Sequence, residues 1–158
     1  KLLQAQFHDI TSRTIVLGLE NVTQNTLLRG RWEVLSNKPK IVADIAHNVQ
    51  AVKAVAEQLT KEKYKNLHIV WGMVEDKDIE KVVDLLPDNA IYYLCEPDIR
   101  RAMDLYDLAT FFKRKNIIMC GSCEGAYQQA KKQTGSDDLL LISGSNFVVS
   151  EVISFLEN

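Results

Sequence analysis

Three polar side chains follow one apolar run of the sequence at close spacing. Asp44 lies within the run at 41–45, and His47 and Asn48 come just after it. The two oxygens of a carboxylate can accept the paired hydroxyls of a ribose, and the start of a following helix favours a phosphate. A structural role also fits, with Asp44 accepting N–H groups of a loop and Asn48 capping the helix. From the residues alone, both interpretations stay open.

A dense group of charges follows a second apolar run. Glu75, Asp76, Lys77 and Asp78 lie between a predicted strand and a predicted helix. Such a loop could orient a substrate or contact a phosphate. A solvated loop in which Asp78 caps the helix is the simpler interpretation, and the residues alone favour it.

Small hydroxyl side chains end the last apolar run. Ser143, Gly144 and Ser145 precede Asn146 and an apolar helix, so their hydroxyls and backbone N–H groups could hold a carboxylate. An ordinary turn with a serine or asparagine as the helix cap is the alternative, and the residues alone favour it slightly.

The cysteines and histidines do not form a metal-ligand pattern. Cys120 and Cys123 have the spacing of a redox or half-zinc motif, but the sequence holds no second ligand pair for zinc. We therefore predict neither a metal site nor a redox function. His8 and His68 stand alone in a predicted helix and a predicted strand, where a structural role is usual. Without further information, Arg31 would be assigned to the surface.

Five apolar strands, each followed by an amphipathic helix, must position these groups. This alternation predicts a mostly parallel sheet with helices on both faces, a Rossmann-like three-layer α/β sandwich. A sixth strand is predicted at an edge, at residues 32–35. Ligands bind beyond the carboxyl ends of the strands in such sheets, so the clusters above should share one rim. The five strands are predicted at residues 41–45, 67–71, 91–95, 117–120 and 139–142.

Two helix boundaries are also predicted from the spacing of apolar residues. The first helix should span roughly the first nineteen residues and end near Gly18. The helix between the third and fourth apolar strands should begin near Arg101.

The bulk composition narrows the class of protein. With 158 residues, 46% of them hydrophobic, the chain is expected to form a single domain, residues 1–158. A formal net charge of -2 gives no field to hold nucleic acid, and no apolar run is long enough to cross a membrane. Three cysteines and the lack of a signal-peptide pattern predict a cytoplasmic protein. Because the chain starts with Lys1 in a predicted helix, it is expected to be a fragment of a longer protein.

Two common phosphate-binding motifs do not occur in the sequence. It contains neither Gly-x-Gly-x-x-Gly after a strand nor Gly-x-x-x-x-Gly-Lys-Ser/Thr. A domain that handles ATP without either motif is expected to share the nucleotide with another domain.

Four segments together resemble a known family. The segments 30–35, 44–48, 72–78 and 143–145, in this order and at this spacing, resemble the C-terminal domain of the bifunctional dihydrofolate synthase/folylpolyglutamate synthase family, within the Mur ligase superfamily. The resemblance covers essentially the whole chain. It implies a ligase that uses ATP and Mg²⁺ to join L-glutamate to dihydropteroate or folates through an acyl phosphate. It also implies that an N-terminal domain, which carries the phosphate loop and the metal site, is the partner of this domain, so the isolated domain should be inactive.

The resemblance also implies roles for individual residues. Arg31 would reach the nucleotide phosphates, Asp44 would hold the ribose, and Asn48 would belong to the same ATP site. His47 would be the catalytic residue, near the phosphates and the incoming glutamate. Ser143 and Ser145 would lie near the glutamate or the folate tail. Asp76, Lys77 and Asp78 match a family signature with an interdomain or substrate-orienting role.

Two positions depart from the family pattern. Val49 stands where proline is usual after His-Asn, and Phe147 stands where tyrosine is common, which puts any role for a hydroxyl there in doubt. Two alternatives remain: the matching domain of a Mur ligase that builds peptidoglycan, and a non-catalytic nucleotide-binding domain. The sequences Gly-Met-x-x-Asp-Lys-Asp and Asp-x-Ala-His-Asn favour the folate branch.

Overall fold

Six strands form one sheet at the centre of the molecule. The computed structural model describes residues 7, 9–75 and 78–158. The strands are β1 (Glu33–Asn37), β2 (Lys40–Ala43), β3 (Leu67–Trp71), β4 (Ala90–Glu96), β5 (Asn116–Ser122) and β6 (Leu139–Ser143). They lie in the order β1-β2-β6-β3-β4-β5; β1 pairs with β2 antiparallel, and every other neighbouring pair is parallel. The predicted mostly parallel sheet with an extra edge strand is confirmed.

Seven helices occur in the described residues. Two precede the sheet and five connect or follow its strands. None of these helices combines the length and the apolar composition needed to span a membrane. The helices are α1 (Ser12–Glu20), α2 (Val22–Thr26), α3 (Val49–Leu59), α4 (Ile79–Asp84), α5 (Leu105–Phe111), α6 (Cys123–Gln133) and α7 (Asn146–Glu157).

Alternate side chains along each strand enter two different cores. Val42, Ile69 and Leu141 belong to the core beneath α3, α4 and α5. Val70 and Ile142 belong to the core beneath α6 and α7. Because helices cover both faces, the central strands are apolar at nearly every position. This is the three-layer sandwich that the sequence predicted.

The position of β6 decides which loops meet. Although β6 is the last strand in the chain, it lies between β2 and β3. The loops after β2 and β6 are therefore neighbours, and the N–H of Gly144 donates to the carbonyl oxygen of Ala46 at 3.2 Å. Such a reversal of strand order marks the usual ligand site of an open parallel sheet.

Gly144 lets the ends of β6 and β3 pack at backbone distance. Its φ is +101°, and a Cβ atom there would lie 2.5 Å from the carbonyl oxygen of Gly72. A Cβ atom on Gly72 would in turn lie 2.5 Å from the carbonyl oxygen of Cys95 in β4. Both positions therefore need a residue without a side chain.

The first helix differs from its predicted extent. α1 begins at Ser12, because Thr11 accepts the N–H of Thr14 and forms a capping box, and it ends at Glu20 rather than near Gly18. A second short helix, α2, follows it. Residues 1–6 and His8, which the prediction included in the first helix, lie outside the described residues.

α5 also begins later than predicted. It starts at Leu105 rather than near Arg101, because the Asp104 carboxylate accepts the N–H groups of Tyr106 and Asp107. A capping aspartate of this kind stops the helix from extending towards its N-terminus.

Candidate functional site

Asp44 holds two loops together at the carboxyl end of β2. Its side chain is almost buried, with a relative exposure of 9%. Its Oδ2 accepts the N–H of Trp32 at 2.7 Å, and its Oδ1 accepts the N–H of Ala46 at 2.9 Å. The structural role of this carboxylate is thus confirmed. Each oxygen has a second lone pair, so the group keeps the capacity to accept a hydrogen bond from a ligand hydroxyl.

The turn that contains Arg31 is fastened to the loop after β2. The N–H of Ile45 donates to the carbonyl oxygen of Gly30 at 2.9 Å. Gly30 has a φ of +68°, and a Cβ atom there would lie 2.7 Å from Cγ2 of Ile45. Trp32 also has a positive φ, +47°, and the carboxylate of Asp44 accepts its N–H. A non-glycine residue in this conformation needs such support, so Asp44 helps to place Arg31.

An open cleft of about 440 Å³ lies between this turn and α3. Arg31, Trp32 and Asp44 line one side of it, so two predicted site residues lie at the same cleft. The other side could not be recognised from the sequence, although its residues follow helical spacing, because residue types do not show which face of a helix stays open. The residues on that side are Ala51, Ala54, Val55 and Gln58.

Asn48 caps α3. Its Oδ1 accepts the N–H of Ala51 at 3.0 Å. The capping alternative is therefore confirmed, and a contact between Asn48 and ATP stays a prediction.

His47 is exposed and lies three residues after Asp44 on the same loop. Its Nδ1 lies 2.8 Å from the carbonyl oxygen of Ile45. Because a carbonyl oxygen can only accept, Nδ1 carries the proton, and the neutral ring has its basic nitrogen at Nε2. His47 does not line the cleft of Arg31 and Asp44, but it belongs to the same loop as Asp44, at the carboxyl end of β2.

The hydroxyls of Ser143 and Ser145 are used within the domain. Ser143 is fully buried, and its Oγ donates to the carbonyl oxygen of Ala46 at 3.4 Å. Ser145 is 2% exposed and caps α7 by accepting the N–H of Val148 at 3.1 Å. The capping alternative is confirmed for Ser145, and substrate contacts of both serines stay a prediction.

The charged loop after β3 is described only in part. Asp76 and Lys77 lie outside the described residues, so their predicted contacts stay a prediction. Asp78 occupies the N-cap position of α4, and its Oδ1 accepts from Nζ of Lys81 at 2.6 Å.

Two of the cysteines, Cys120 and Cys123, have a raised pKa. Burial raises the pKa of Cys120 to about 11. The pKa of Cys123 is also raised, by its contact with the thiol of Cys95 and by burial. Thiols in this state are poor nucleophiles and poor metal ligands. Within the described parts of the chain, no three or more His, Cys, Asp or Glu side chains are grouped so that they could hold a metal ion.

A second buried carboxylate, Asp138, lies at the opposite end of the sheet, directly before β6. It is 7% exposed. Its Oδ1 accepts the backbone N–H and the side-chain amide of Asn66, both at 2.9 Å, and its Oδ2 accepts the N–H of Gly135 at 2.7 Å. Burial alone would raise the pKa of Asp138, but the hydrogen bonds from Gly135 and Asn66 outweigh it and lower the pKa.

His68 lies beside this second carboxylate. Its Nδ1 lies 3.0 Å from the hydroxyl of Tyr93, which itself donates to Oε1 of Gln133 at 3.1 Å. Nε2 lies 3.6 Å from Oδ2 of Asp138, just beyond hydrogen-bond distance. Burial lowers the pKa of His68, and the carboxylate of Asp138 offsets only part of this effect. His68 is thus a structural residue of the core, as expected.

Comparison with known proteins gives the family. The family model of the Mur ligase glutamate ligase domain matches residues 30–146. The probable bifunctional folylpolyglutamate synthase/dihydropteroate synthase of Haloferax volcanii is 36% identical over 146 residues, which are 90% of this chain and 17% of that protein.

Solved structures show the same fold. A bifunctional folylpolyglutamate synthase/dihydrofolate synthase with Mn, AMPPNP and L-glutamate bound has a TM-score of 0.75 at 26% identity, covering 83% of this chain and 32% of that one. The protein of the same name from Yersinia pestis CO92 has a TM-score of 0.80 at 24% identity, covering 99% of this chain and 37% of that one. This chain therefore spans well under half the length of these relatives. Because the family model covers most of the chain, the protein belongs to the Mur ligase glutamate ligase domain family.

Proposed function

We propose that this chain is the glutamate ligase domain of an ATP-dependent enzyme that joins L-glutamate to dihydropteroate or folates by an amide bond. The observation that carries the proposal is the common cleft of Arg31 and Asp44 at the carboxyl end of the sheet. The names of the relatives support the substrate class, and one solved relative has AMPPNP and L-glutamate bound.

The two residues at the cleft suit the two ends of a nucleotide. The planar guanidinium of Arg31 offers several N–H donors in a geometry that matches phosphate oxygens. The remaining lone pairs of Asp44 suit the hydroxyls of a ribose. Because Asp44 also accepts the N–H of Trp32, next to Arg31, the residue that holds the ribose would also position the residue that holds the phosphates.

His47 is the proposed catalytic residue. In the proposed reaction the terminal phosphoryl group of ATP passes to the substrate carboxylate, and ADP leaves. The amine nitrogen of L-glutamate then attacks the acyl carbon; phosphate leaves, and the nitrogen loses a proton. With Nδ1–H directed at the carbonyl oxygen of Ile45, Nε2 of His47 is available to accept that proton.

The proposal includes a second domain. Since the sequence lacks a phosphate loop, the triphosphate would be bound between this domain and an ATPase domain, to which the proposal also assigns Mg²⁺. Domain closure would exclude water, which otherwise hydrolyses an acyl phosphate. Asn48, Ser143, Ser145, Asp76 and Lys77 keep their predicted roles as contacts of ATP, the substrate or that domain. A cytoplasmic location belongs to the same proposal.

The test uses a polypeptide that joins this chain to an ATPase domain. We expect ADP release that requires both L-glutamate and dihydropteroate or a folate, and an Arg31→Ala variant with kcat/KM lower by about 100-fold. Arg114→Ala, at an exposed arginine just before β5 at the other end of the sheet, is the matched control and should leave the rate unchanged. Turnover of a UDP-muramoyl peptide instead of dihydropteroate or folates would contradict the proposed substrate class.

The 158-residue chain tests the shared nucleotide site. By calorimetry we expect an ATP dissociation constant weaker than roughly 1 mM, because half of the contacts would be missing. Micromolar affinity together with turnover by this chain alone would contradict the shared site.

A further inference from the structure

The side chain of Arg31 depends on the surrounding backbone for its direction. Among the described residues it has no ion pair and no hydrogen-bond partner, and it lines the open cleft. The residues on either side of it both have a left-handed backbone, with φ +68° at Gly30 and φ +47° at Trp32. Such a conformation is unfavourable at Trp32 unless other groups hold it. The groups that fix these two residues therefore determine where the guanidinium can reach.

The carboxylate of Glu33 holds the residue before Arg31. Its Oε2 accepts the N–H of Gly30 at 2.7 Å, whereas Asp44 accepts the N–H of Trp32, also at 2.7 Å. Hydrogen bonds from an N–H group to a carboxylate are stronger than those between neutral groups. Two carboxylates from different segments thus fix the backbone on the two sides of Arg31.

The other oxygen of Glu33 is also in use. Oε1 accepts from Nε of Arg29 at 2.6 Å, and Nη1 of Arg29 donates to Oε1 of Glu157, near the end of α7, at 2.7 Å. The side chain of Glu33 is only 18% exposed, whereas those of Arg29 and Glu157 are 43% and 61% exposed. Because exposed ion pairs contribute little to stability, we expect Arg29 to orient the carboxylate of Glu33 rather than to fix the turn. The hydrogen bond to Gly30 is then the contact that affects Arg31.

We infer that Glu33 is a positioning residue for Arg31, and that its hydrogen bond to Gly30 directs the guanidinium towards the phosphates of the nucleotide. This inference rests on the proposed function. Glu33 does not line the cleft, so it would act through Arg31 and not by touching the nucleotide. The loss of Glu33 should therefore matter for ATP only where Arg31 is present. A residue that only stabilises the fold would not show this dependence.

A double-mutant cycle in the polypeptide that joins this chain to an ATPase domain tests the dependence. Glu33→Ala should lower kcat/KM for ATP by about 10-fold, mainly through a higher KM, because the phosphate contact is misplaced. In an Arg31→Ala background the same substitution should lower kcat/KM by less than about 2-fold, because residues that act through one another are not additive. Glu33→Gln keeps an oxygen for the N–H of Gly30 and should retain at least about half of the wild-type kcat/KM.

Glu62→Ala is the matched control. The side chain of Glu62 is 17% exposed and pairs with Nζ of Lys40 at 2.6 Å, much as Glu33 pairs with Arg29. Lys40 is the first residue of β2, so this ion pair lies at the end of the strand that is opposite to the cleft. Removing it should leave kcat/KM for ATP within about 2-fold of the wild-type value.

The contact between Glu33 and the turn can also be measured without turnover. In the 158-residue chain, hydrogen exchange of the Gly30 amide should be at least about 10-fold faster in Glu33→Ala and unchanged in Glu62→Ala. Exchange at the wild-type rate in Glu33→Ala would overturn the inference. An equal loss of kcat/KM with and without Arg31 would also overturn it, as would a Glu33→Gln variant as impaired as Glu33→Ala.

The two measurements separate this inference from the proposed function. Faster exchange of the Gly30 amide in Glu33→Ala, in a protein whose joined form releases no ADP with L-glutamate and a folate, would contradict the proposed function. Glutamate-dependent ADP release together with unchanged exchange in Glu33→Ala would contradict only the role of Glu33.

Discussion

Two nearly buried aspartates lie at opposite ends of the same sheet and do similar structural work. Asp44 follows β2 and accepts two backbone N–H groups, whereas Asp138 precedes β6 and accepts three N–H groups from Asn66 and Gly135. In each place a carboxylate holds together loops that the sheet brings near each other. A buried carboxylate alone therefore does not identify a functional site.

Their surroundings separate the two carboxylates. Asp138 faces His68 in a closed polar cluster, and its neighbours are all part of the fold. Asp44 opens onto a cleft that it shares with Arg31. An unused lone pair, an adjacent cation and an open space together give Asp44 a capacity for binding that Asp138 lacks.

The largest loss of stability is expected at Asp138. Asp138→Ala removes the acceptor of three N–H groups and should lower the free energy of unfolding by about 4 kcal/mol, because buried donors would be left without partners. Urea unfolding measures this loss. Asp137→Ala, at the exposed neighbouring position, is the control and should change stability by less than about 0.5 kcal/mol. Equal stability losses in the two variants would show that the hydrogen bonds of the Asp138 carboxylate do not stabilise the fold.

Asp44→Ala should lower the free energy of unfolding by somewhat less, about 3 kcal/mol, because two N–H groups lose their acceptor. The matched control is Asp104→Ala, since Asp104 also accepts two N–H groups but is exposed, and it should cost only about 1 kcal/mol. Thermal or urea unfolding compares the two. Similar stability losses in the two variants would mean that the burial of Asp44 does not add to its contribution to stability.

The close packing of the rim can be tested at two glycines with left-handed backbone. Gly144 has φ +101° and touches β3, whereas Gly121 has φ +76° and open space around it. Both Gly144→Ala and Gly121→Ala lose the conformational freedom of glycine, but only the new Cβ atom at position 144 also meets a backbone atom. Gly144→Ala should therefore lower the free energy of unfolding by about 2 kcal/mol more than Gly121→Ala does. Unfolding midpoints at equal m-values measure the difference, and identical midpoints would contradict the packing.

The smallest expected effect is a pH dependence of the free energy of unfolding, which comes from His68. Because the pKa of His68 is lowered from 6.5 in the folded protein, the unfolded chain binds a proton first as the pH falls. The stability that this provides is complete above about pH 6.5 and is lost as the pH falls below that value. Asp138, with its lowered pKa, acts in the same direction only near and below pH 3.8.

Urea unfolding between pH 7.5 and pH 5 isolates the contribution of the histidine. The wild-type chain should lose stability over this range, and His68→Gln should lose less, whatever its stability at pH 7.5. Parallel curves for the two proteins would exclude His68 as the source.

The sequence predicted the sheet because β3 and β6 are apolar at nearly every position, which is typical of strands covered on both faces. It also located the rim, since Asp44 and Ser143 both end such runs. It could not choose between the two roles of Asp44, because the donors to its oxygens come from Trp32 and Ala46, and the first of these depends on how β1 folds back. The start of α1 was wrong since the capping box of Thr11 competes with an apolar pattern that continues upstream.

The cleft was beyond prediction for a related reason. Its walls come from the turn before β1 and from α3, and their separation depends on how these two elements pack in three dimensions. Residue types and spacing give the face of α3 but not the distance to its neighbour.

The central place of β6 has a consequence for synthesis on the ribosome. β3, β4 and β5 can pair with one another as they emerge, but β2 has no parallel neighbour until residues 139–143 have been made. The loop with Asp44 therefore joins the rest of the sheet only after β6 has been made. A product that stops before residue 139 would leave β2 and β3 with open strand edges, which are templates for aggregation, and would lose the rim at the same time.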